Sequence, residues 1–458
     1  MPHFDAIVIG SGQAGPTLTG RLTDAGKSVA FIEREHFGGT CVNDGCIPTK
    51  ALMASAHAAH VARRAADFGV TISGAIDVDM KAVKARKDRI VGRSRTNVET
   101  WVRGMKGCTV YLGHARFTGS KQVAVNGETL TADRIFINVG GRATVPAIPG
   151  LDQVPYLTNT SMMDVDFLPR HLIVLGGSYI GLEFAQMYRR FSSAVTVLEA
   201  LPRLVPREDE DMSTAIADIL TSGGIDVRVG AKALAVKKTG DGVVVEIETA
   251  QGRGQIDGSH LLVAIGRTPN TNDLGLDKAG IATDARGYIT VDDQLRTNVE
   301  GVFALGDCNG RGAFTHTSYN EFEIVAANLL DGDSRRLSDR ILAYALFIDP
   351  PLGRCGMTEA EVRKSGRPAM MATWAMERVG RAFERSETQG FMKILVDADT
   401  REILGCSVLG PGGDEAVHCV LDLMYAKAPI DTLARATHIH PNVSELLPTI
   451  AQELKPLV

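Results

Sequence analysis

Two cysteines separated by four residues, Cys41 and Cys46, are the first place in this sequence where chemistry could reside. Cys46 stands just before a stretch that reads as a helix with Pro48 in its first turn, and the positive end of that helix favours the thiolate that redox chemistry needs. Spacing alone leaves three readings open: a redox-active dithiol, two structural thiols, or half a zinc site. No second close cysteine pair and no histidine pair at metal spacing accompanies it, and the gap does not match common zinc spacing. Near the other end, His440-Pro441 is followed by Glu445, an acid placed to orient an imidazole. That turns a histidine that could be structural into a candidate acid/base.

The elements that must position these groups come from a duplication. Ala6-Ile7-Val8-Ile9 leads into Gly10-Ser11-Gly12-Gln13-Ala14-Gly15, a helical stretch, and Ser28 to Glu33. Leu172-Ile173-Val174-Leu175 leads into Gly176-Gly177-Ser178-Tyr179-Ile180-Gly181, another helical stretch, and Ala194 to Glu199. Gly10, Gly15 and Glu33 map at one constant offset onto Gly176, Gly181 and Glu199. Each copy reads as strand, turn, helix, strand: the glycine turn admits a pyrophosphate to the backbone, the helix N-terminus attracts it, and the acid accepts ribose hydroxyls. Ser178 replaces the middle glycine of the second copy, where a small side chain is expected to permit close approach. The cysteine pair lies just after the first copy, and a dithiol beside a dinucleotide unit favours redox chemistry over the bland readings.

The remaining segments fit around these units. Pro48 to about Gly69 and Val78 to about Gly104 read as helices, and Cys108 to Asn138 as short antiparallel strands punctuated by Gly113, Gly119 and Gly127. Pro146 to Pro155 and Asp331 to Asp339 read as boundaries. From Ile341 onward, strands around Lys393 to Val396 and Ile403 to Leu409 precede apolar-faced helices, a module expected to bury its sheet against another subunit. A chain of 458 residues suggests about three domains. With 49 Lys+Arg against 54 Asp+Glu and a net charge of −5, it has no basic surface to recommend nucleic acid or an anionic membrane. No apolar run approaches the ~20 residues of a spanning helix. Met1 to Asp5 lead straight into Ala6 with no secretion-type segment, so the expected location is cytoplasmic. Seven cysteines do not read as a disulfide framework.

Gly38 to Lys50, the doubled glycine motif, Thr297-Asn298-Val299 leading to Phe303-Ala304-Leu305-Gly306-Asp307, and His438-Ile439-His440-Pro441-Asn442-Val443-Ser444-Glu445 resemble the pyridine nucleotide-disulfide oxidoreductases. This family includes glutathione reductase, dihydrolipoamide dehydrogenase and mercuric reductase, and the resemblance covers essentially the whole chain. It implies an α/β fold: two Rossmann-like dinucleotide-binding domains plus a C-terminal α+β dimerisation domain. The implied boundaries are 1–150 for FAD, 151–270 for NAD(P), 271–340 for a central FAD-contacting region and 341–458 for dimerisation. Carried over residue by residue, Gly10, Gly12, Gly15, Glu33, Gly39, Thr40, Gly140 and Asp307 would hold FAD, with Asp307 on the ribityl chain. Gly176, Gly181, Glu199 and Gly266 would hold NADH or NADPH, with Tyr179 as an aromatic lid. Lys50 would sit near flavin N5 and pair with Glu183, a cation there favouring the reduced flavin. Cys41 would be the interchange thiol and Cys46 the thiol facing the flavin. His440, oriented by Glu445, would come from the partner subunit of a homodimer. The bland alternatives are a solvated helix charge for Glu183, a helix N-cap for Asp307 and a structural histidine for His440. His438, Cys108, Cys308, Cys355, Cys406 and Cys419 read as structural, and no metal site is expected.

The resemblance also narrows the substrate. Positions where glutathione reductases carry arginines for substrate carboxylates look like Gly20 and Glu323, which disfavours glutathione disulfide. The chain lacks the C-terminal vicinal cysteines of mercuric reductases and keeps His440. Phe314-Thr315-His316-Thr317-Ser318-Tyr319 is similar to the mercuric-reductase-like branch that includes reactive-chlorine-resistance flavoproteins. The expected activity is an FAD-dependent reductase passing electrons from NAD(P)H through Cys41/Cys46 to a small disulfide or oxidant. The alternatives are a dihydrolipoamide dehydrogenase subunit of a multienzyme complex and a Cu(II) or Hg(II) reductase. Glu199 would repel a 2′-phosphate and so favours NADH, with Arg203 and Arg207 close enough to weaken the discrimination.

Overall fold

The apolar run near the start forms the strand His3–Ile9, and its uninterrupted hydrophobicity is explained by burial on both faces. Alternate residues point to opposite sides of the sheet: Ile7, Ile9, Ala30 and Ile32 enter one core, while Ala6, Val8, Val29 and Phe31 enter another. The computed structural model describes residues 1–457, and the chain forms two units, neither continuous in sequence. One comprises Met1–Val145, Leu157–Leu168 and Gly266–Arg340; the other comprises Pro146–Tyr156, Pro169–Ile265 and the chain from Ile341 on.

In the first unit the central sheet runs in the order Cys108–Leu112, Val29–Glu33, His3–Ile9, Glu128–Ile137, Gln122–Val125, Arg116–Gly119, with Val302–Ala304 also paired to Glu128–Ile137. His3–Ile9 lies parallel to both neighbours, the arrangement a strand-helix-strand unit produces. The meander expected over Cys108 to Asn138 is confined to its last three strands. Cys108–Leu112 instead lies parallel to Val29–Glu33 at the sheet edge, because the helices between them carry the chain back in the same direction. Those helices are Cys46–Arg63 and Met80–Gly104; the second is capped by Asp79, which accepts from the backbone N–H groups of Lys81 and Ala82.

In the second unit Asp226–Arg228, Ala194–Leu198, His171–Leu175 and His260–Val263 form a parallel sheet in that order. The helix Tyr179–Phe191 follows its glycine turn, and an antiparallel sheet of Lys232–Thr239, Gly242–Thr249 and Gly252–Gly258 follows in the chain. From Ala343 onward a six-stranded sheet packs against the helix Gly413–Tyr425. Helix and sheet approach so closely that a Cβ on Gly353 would fall 2.2 Å from the Gly413 carbonyl oxygen. Among the described residues no helix is long and apolar enough to cross a membrane.

Candidate active site

The cysteine pair is placed by a tight backbone turn. Gly38 and Gly39 adopt φ of +96° and +59°, and a Cβ on Gly39 would sit 2.8 Å from the Gly12 Cα, so the cysteine segment rests directly on the first glycine turn. Thr40 and Cys41 then lie in the short helix Gly39–Asn43, and Cys46 opens the helix Cys46–Arg63, one turn before Lys50. The Cys41 thiol is raised above its ordinary pKa by its hydrogen-bonding neighbour Cys46, then by burial; the Thr315 hydroxyl opposes the shift. Thr315 Oγ1 also lies 3.1 Å from Cys46 Sγ, so the first residue of the helix Thr315–Ala326 serves both sulfurs. The loop between the cysteines is held from two sides. Asn43 donates to the carbonyls of Phe37 and Gly39 and accepts from Arg95, while the Asp44 carbonyl accepts from Asn159 and its carboxylate from Thr160.

The two glycine turns are built alike down to the acid. A Cβ on Gly15 would fall 2.2 Å from the Gly10 carbonyl oxygen, and one on Gly181 would fall 2.0 Å from that of Gly176. Glu33 accepts from the Ser11 N–H at 2.9 Å and the Glu35 N–H at 2.8 Å; Glu199 accepts from the Gly177 N–H at 2.7 Å and the Leu201 N–H at 2.8 Å. These bare turns, each leading into a helix with an acid at the end of the next strand, fit a dinucleotide. The middle position differs for a visible reason. A Cβ on Gly12 would meet the Asn138 side-chain oxygen at 2.7 Å, whereas the residue matching Asn138 against Gly176 is Ala264, whose methyl admits Ser178 in extended backbone.

Beyond the first turn, Gly140 has φ of +64° and open space beside it. Asp307 sits in the short helix Gly306–Asn309, where Leu305 takes the N-cap position, and accepts from Arg267 Nε at 3.2 Å. Its loop is anchored by Glu321, fully buried, which accepts from the Gly306 N–H at 2.6 Å and from Asn309 at 2.8 Å. Burial pushes the Glu321 carboxyl up against the pull of these donors and Arg340. Gly266, at φ +149°, faces open space near Thr144.

On the helix Tyr179–Phe191, Glu183 is buried rather than solvated and accepts from the Phe347 N–H at 3.2 Å. Tyr179 opens the helix, and burial, then the Glu208 carboxylate, push its phenol up to about 12. Elsewhere in the same unit His440 Nδ1 lies 2.8 Å from Glu445 Oε2, with the imidazole 79% exposed. Arg381 donates to the carbonyl of Pro441, bracing that turn, and His438 hydrogen-bonds the Ser444 carbonyl instead. Burial pushes the Cys308 and Cys355 thiols up to about 12 and Cys108 up to about 11, which leaves them protonated at neutral pH.

The first unit thus gathers Cys41, Cys46, Lys50, Gly10, Gly12, Gly15, Glu33, Gly39, Thr40, Gly140, Asp307 and Gly266; the second carries Gly176, Tyr179, Gly181, Glu183, Glu199, His440 and Glu445. Asn138, Arg267 and Glu321 escaped the sequence reading, and Thr315 entered it only within the segment Phe314 to Tyr319, with no role of its own. Only Thr315 had a signal, a hydroxyl at the start of an apolar-faced segment soon after Asp307. Among the described residues, no group of three or more His, Cys, Asp or Glu could hold a metal ion.

Residues 4–321 match the family described as pyridine nucleotide-disulphide oxidoreductase, and residues 342–451 match its dimerisation domain. The chain is 36% identical over 455 residues to the probable pyridine nucleotide-disulfide oxidoreductase RclA of Escherichia coli K12, covering 98% of each chain. It is 35% identical over 454 residues to a mercuric reductase of Streptomyces lividans, covering 98% of this chain and 96% of that one. A dihydrolipoyl dehydrogenase of Thermus scotoductus is 33% identical over 457 residues, with 99% and 98% covered. The solved structure of the HOCl-induced flavoprotein disulfide reductase RclA of Escherichia coli, in its Cu(II) complex, is similar with a TM-score of 0.90 at 34% identity, covering 99% of this chain and 100% of that one.

Proposed function

The chain belongs to the pyridine nucleotide-disulphide oxidoreductase family, whose flavoprotein disulfide reductases use FAD and NAD(P)H, and on that footing we propose that it passes electrons from NADH through FAD and the Cys41/Cys46 pair to a small disulfide or oxidant. The observation that carries this reading is the pair itself: a partly buried and an exposed sulfur within hydrogen-bonding reach, resting on a glycine turn that fits a dinucleotide. When bound, FAD would supply two-electron transfer between the nicotinamide and the Cys41–Cys46 disulfide.

The chain's own residues do the rest. Gly10, Gly12, Gly15, Glu33, Gly39, Thr40, Gly140 and Asp307 would hold FAD, Lys50 would pair with Glu183, and Gly176, Tyr179, Gly181, Glu199 and Gly266 would hold the nicotinamide nucleotide. Residues 1–150 and 271–340 form the FAD side, 151–270 the NAD(P) side, and 341–458 dimerise. His440 of the partner subunit, oriented by its Glu445, takes the proton of the Cys41 thiol; the thiolate attacks one substrate sulfur, that S–S bond breaks, a mixed disulfide forms, and the leaving thiolate takes the proton back from the partner's His440. The Cys46 thiolate then attacks the Cys41 sulfur, the second substrate sulfur leaves as a thiolate that takes its proton from solvent, and the Cys41–Cys46 disulfide is restored. One substrate disulfide has gained two electrons and two protons. The dimerisation domain supports the homodimer this step needs.

Glu199, whose oxygens already hold two backbone amides, would repel a 2′-phosphate, and Arg203 is engaged with the Pro206 carbonyl. A second reading, reduction of two Cu(II) to two Cu(I) as the reduced cysteine pair closes to its disulfide, is favoured by the Cu(II) complex of the similar RclA. The test is a steady-state screen of FAD holoenzyme with low-molecular-weight disulfides, lipoamide, hypothiocyanite and Cu(II), each with NADH and NADPH. Turnover that requires Cys41 and proceeds with higher kcat/KM for NADH supports the proposal. Turnover indifferent to Cys41→Ser overturns it.

A further inference from the structure

The helix that carries Tyr179 and Glu183 presents one stripe to a single stretch of the C-terminal module. Tyr179, Glu183, Gln186 and Arg190 recur at helical spacing on one face, and all four meet residues 344–349. The Tyr179 and Tyr344 rings meet edge to face, centroids 5.5 Å apart at 84°. The Phe347 N–H donates to Glu183, Gln186 exchanges two hydrogen bonds with the Asp349 backbone, and Arg190 donates to the Asp349 carboxylate at 2.6 Å. Tyr344 is itself fixed from behind. Its hydroxyl donates to Glu208 at 2.6 Å, and Glu208 accepts from Arg354 Nε at 2.7 Å, both charges being almost wholly buried. A buried ion pair of this kind gives the tyrosine ring one place to stand.

We propose that Tyr344 is a positioning residue for the nicotinamide nucleotide, holding the ring of Tyr179 in the place where it serves as lid. The inference rests on the reading of Tyr179 given above. A ring held in advance costs less to order when the nucleotide binds, so releasing it weakens binding without touching the redox pair.

The test is calorimetric binding of NAD+ to FAD holoenzyme, with thermal unfolding measured beside it. Tyr344→Ala is expected to raise Kd about 2- to 12-fold, the ratio supplied by an aromatic edge contact of about 0.5–1.5 kcal/mol. KM for NADH rises by the same ratio, with kcat nearly unchanged. Tyr344→Phe keeps the ring edge and drops the hydroxyl that meets both Glu208 and Tyr179, so it lowers the unfolding temperature and, the ring edge being what holds Tyr179, leaves Kd within about 2-fold. In a Tyr179→Ala background, Tyr344→Ala adds nothing further. If Tyr344→Ala does not fold with FAD, Tyr344→Leu keeps the volume and removes the ring. Unchanged Kd in the Ala or Leu variant, a Phe variant as weak as the Ala one, or additive effects in the double variant would each overturn the inference while leaving the lid in place. Unchanged Kd in Tyr179→Ala removes the lid reading, and the inference with it.

Discussion

The duplication makes a reciprocal prediction: each glycine turn serves one nucleotide, so the same small change in either copy should disable a different half of the enzyme. In Gly181→Ala the new Cβ would stand 2.0 Å from the Gly176 carbonyl oxygen, and in Gly15→Ala 2.2 Å from that of Gly10. Each contact must open by about 1 Å before it is tolerable, which displaces the first turn of the helix from its glycine loop. A misplaced backbone amide forfeits a hydrogen bond to a charged phosphate worth about 1.5–3 kcal/mol, or about 10- to 150-fold in Kd. The overpacking also costs about 1–3 kcal/mol of stability. The assay separates two routes into the same redox pair. NADH reaches it through both nucleotides, whereas a small dithiol such as dihydrolipoamide reduces Cys41/Cys46 directly and then the flavin. Gly181→Ala should keep its FAD and dithiol-driven flavin reduction while losing NADH-driven reduction at low NADH. Gly15→Ala should be purified with little FAD. Normal NADH affinity in Gly181→Ala, or loss of FAD from that variant instead, would refute the assignment of the two turns.

Cys46→Ser should abolish the long-wavelength absorbance of a thiolate against the flavin on two-electron reduction while FAD stays bound, whereas Cys41→Ser should keep that band and stop disulfide turnover; a band that survives Cys46→Ser reverses the assignment. His440→Gln should cut disulfide turnover by about 10²–10⁴-fold with NADH-driven flavin reduction near normal. Exchanging its subunits with those of Cys41→Ser should recover part of the activity, because one site of each mixed dimer carries both groups, and demonstrated exchange without recovery contradicts a site shared across the dimer. Asp209 is opposed by burial, yet the N–H groups of Glu359 and Ala360 with Lys393 and Arg354 outweigh it and hold its carboxyl below the usual range. A depressed folded pKa gives stability that is complete above the unfolded carboxylate value near ~4 and lost as pH falls through the folded value. The stability difference between wild type and Asp209→Asn should therefore be constant at neutral pH and shrink in acid; a pH-independent difference contradicts it.

What the sequence by itself determined is local and repetitive. A glycine turn between a buried strand and a helix, an acid at the end of the following strand, and a cysteine at a helix start are each written within about thirty residues, where chain direction and turn geometry are set by neighbouring residues. That is why the doubled nucleotide unit, the placement of Cys41, Cys46 and Lys50, and the His440–Glu445 pair are legible from one chain. The tertiary structure decided what meets these groups from afar. Thr315 reaches Cys46 from the far end of its unit because Val302–Ala304 pairs with Glu128–Ile137, a choice of sheet neighbour that no periodicity encodes. Ser178 is admitted because Ala264 stands where the first unit has Asn138. Cys108–Leu112 reads as a strand from its alternation, but its partner was fixed by the helices that return the chain parallel to Val29–Glu33. Glu208 and Arg354 pair in a core that also holds Tyr344 against Tyr179. Such contacts join residues whose separation in the chain carries no signal, since burial and long-range pairing select them only once the sheets have formed.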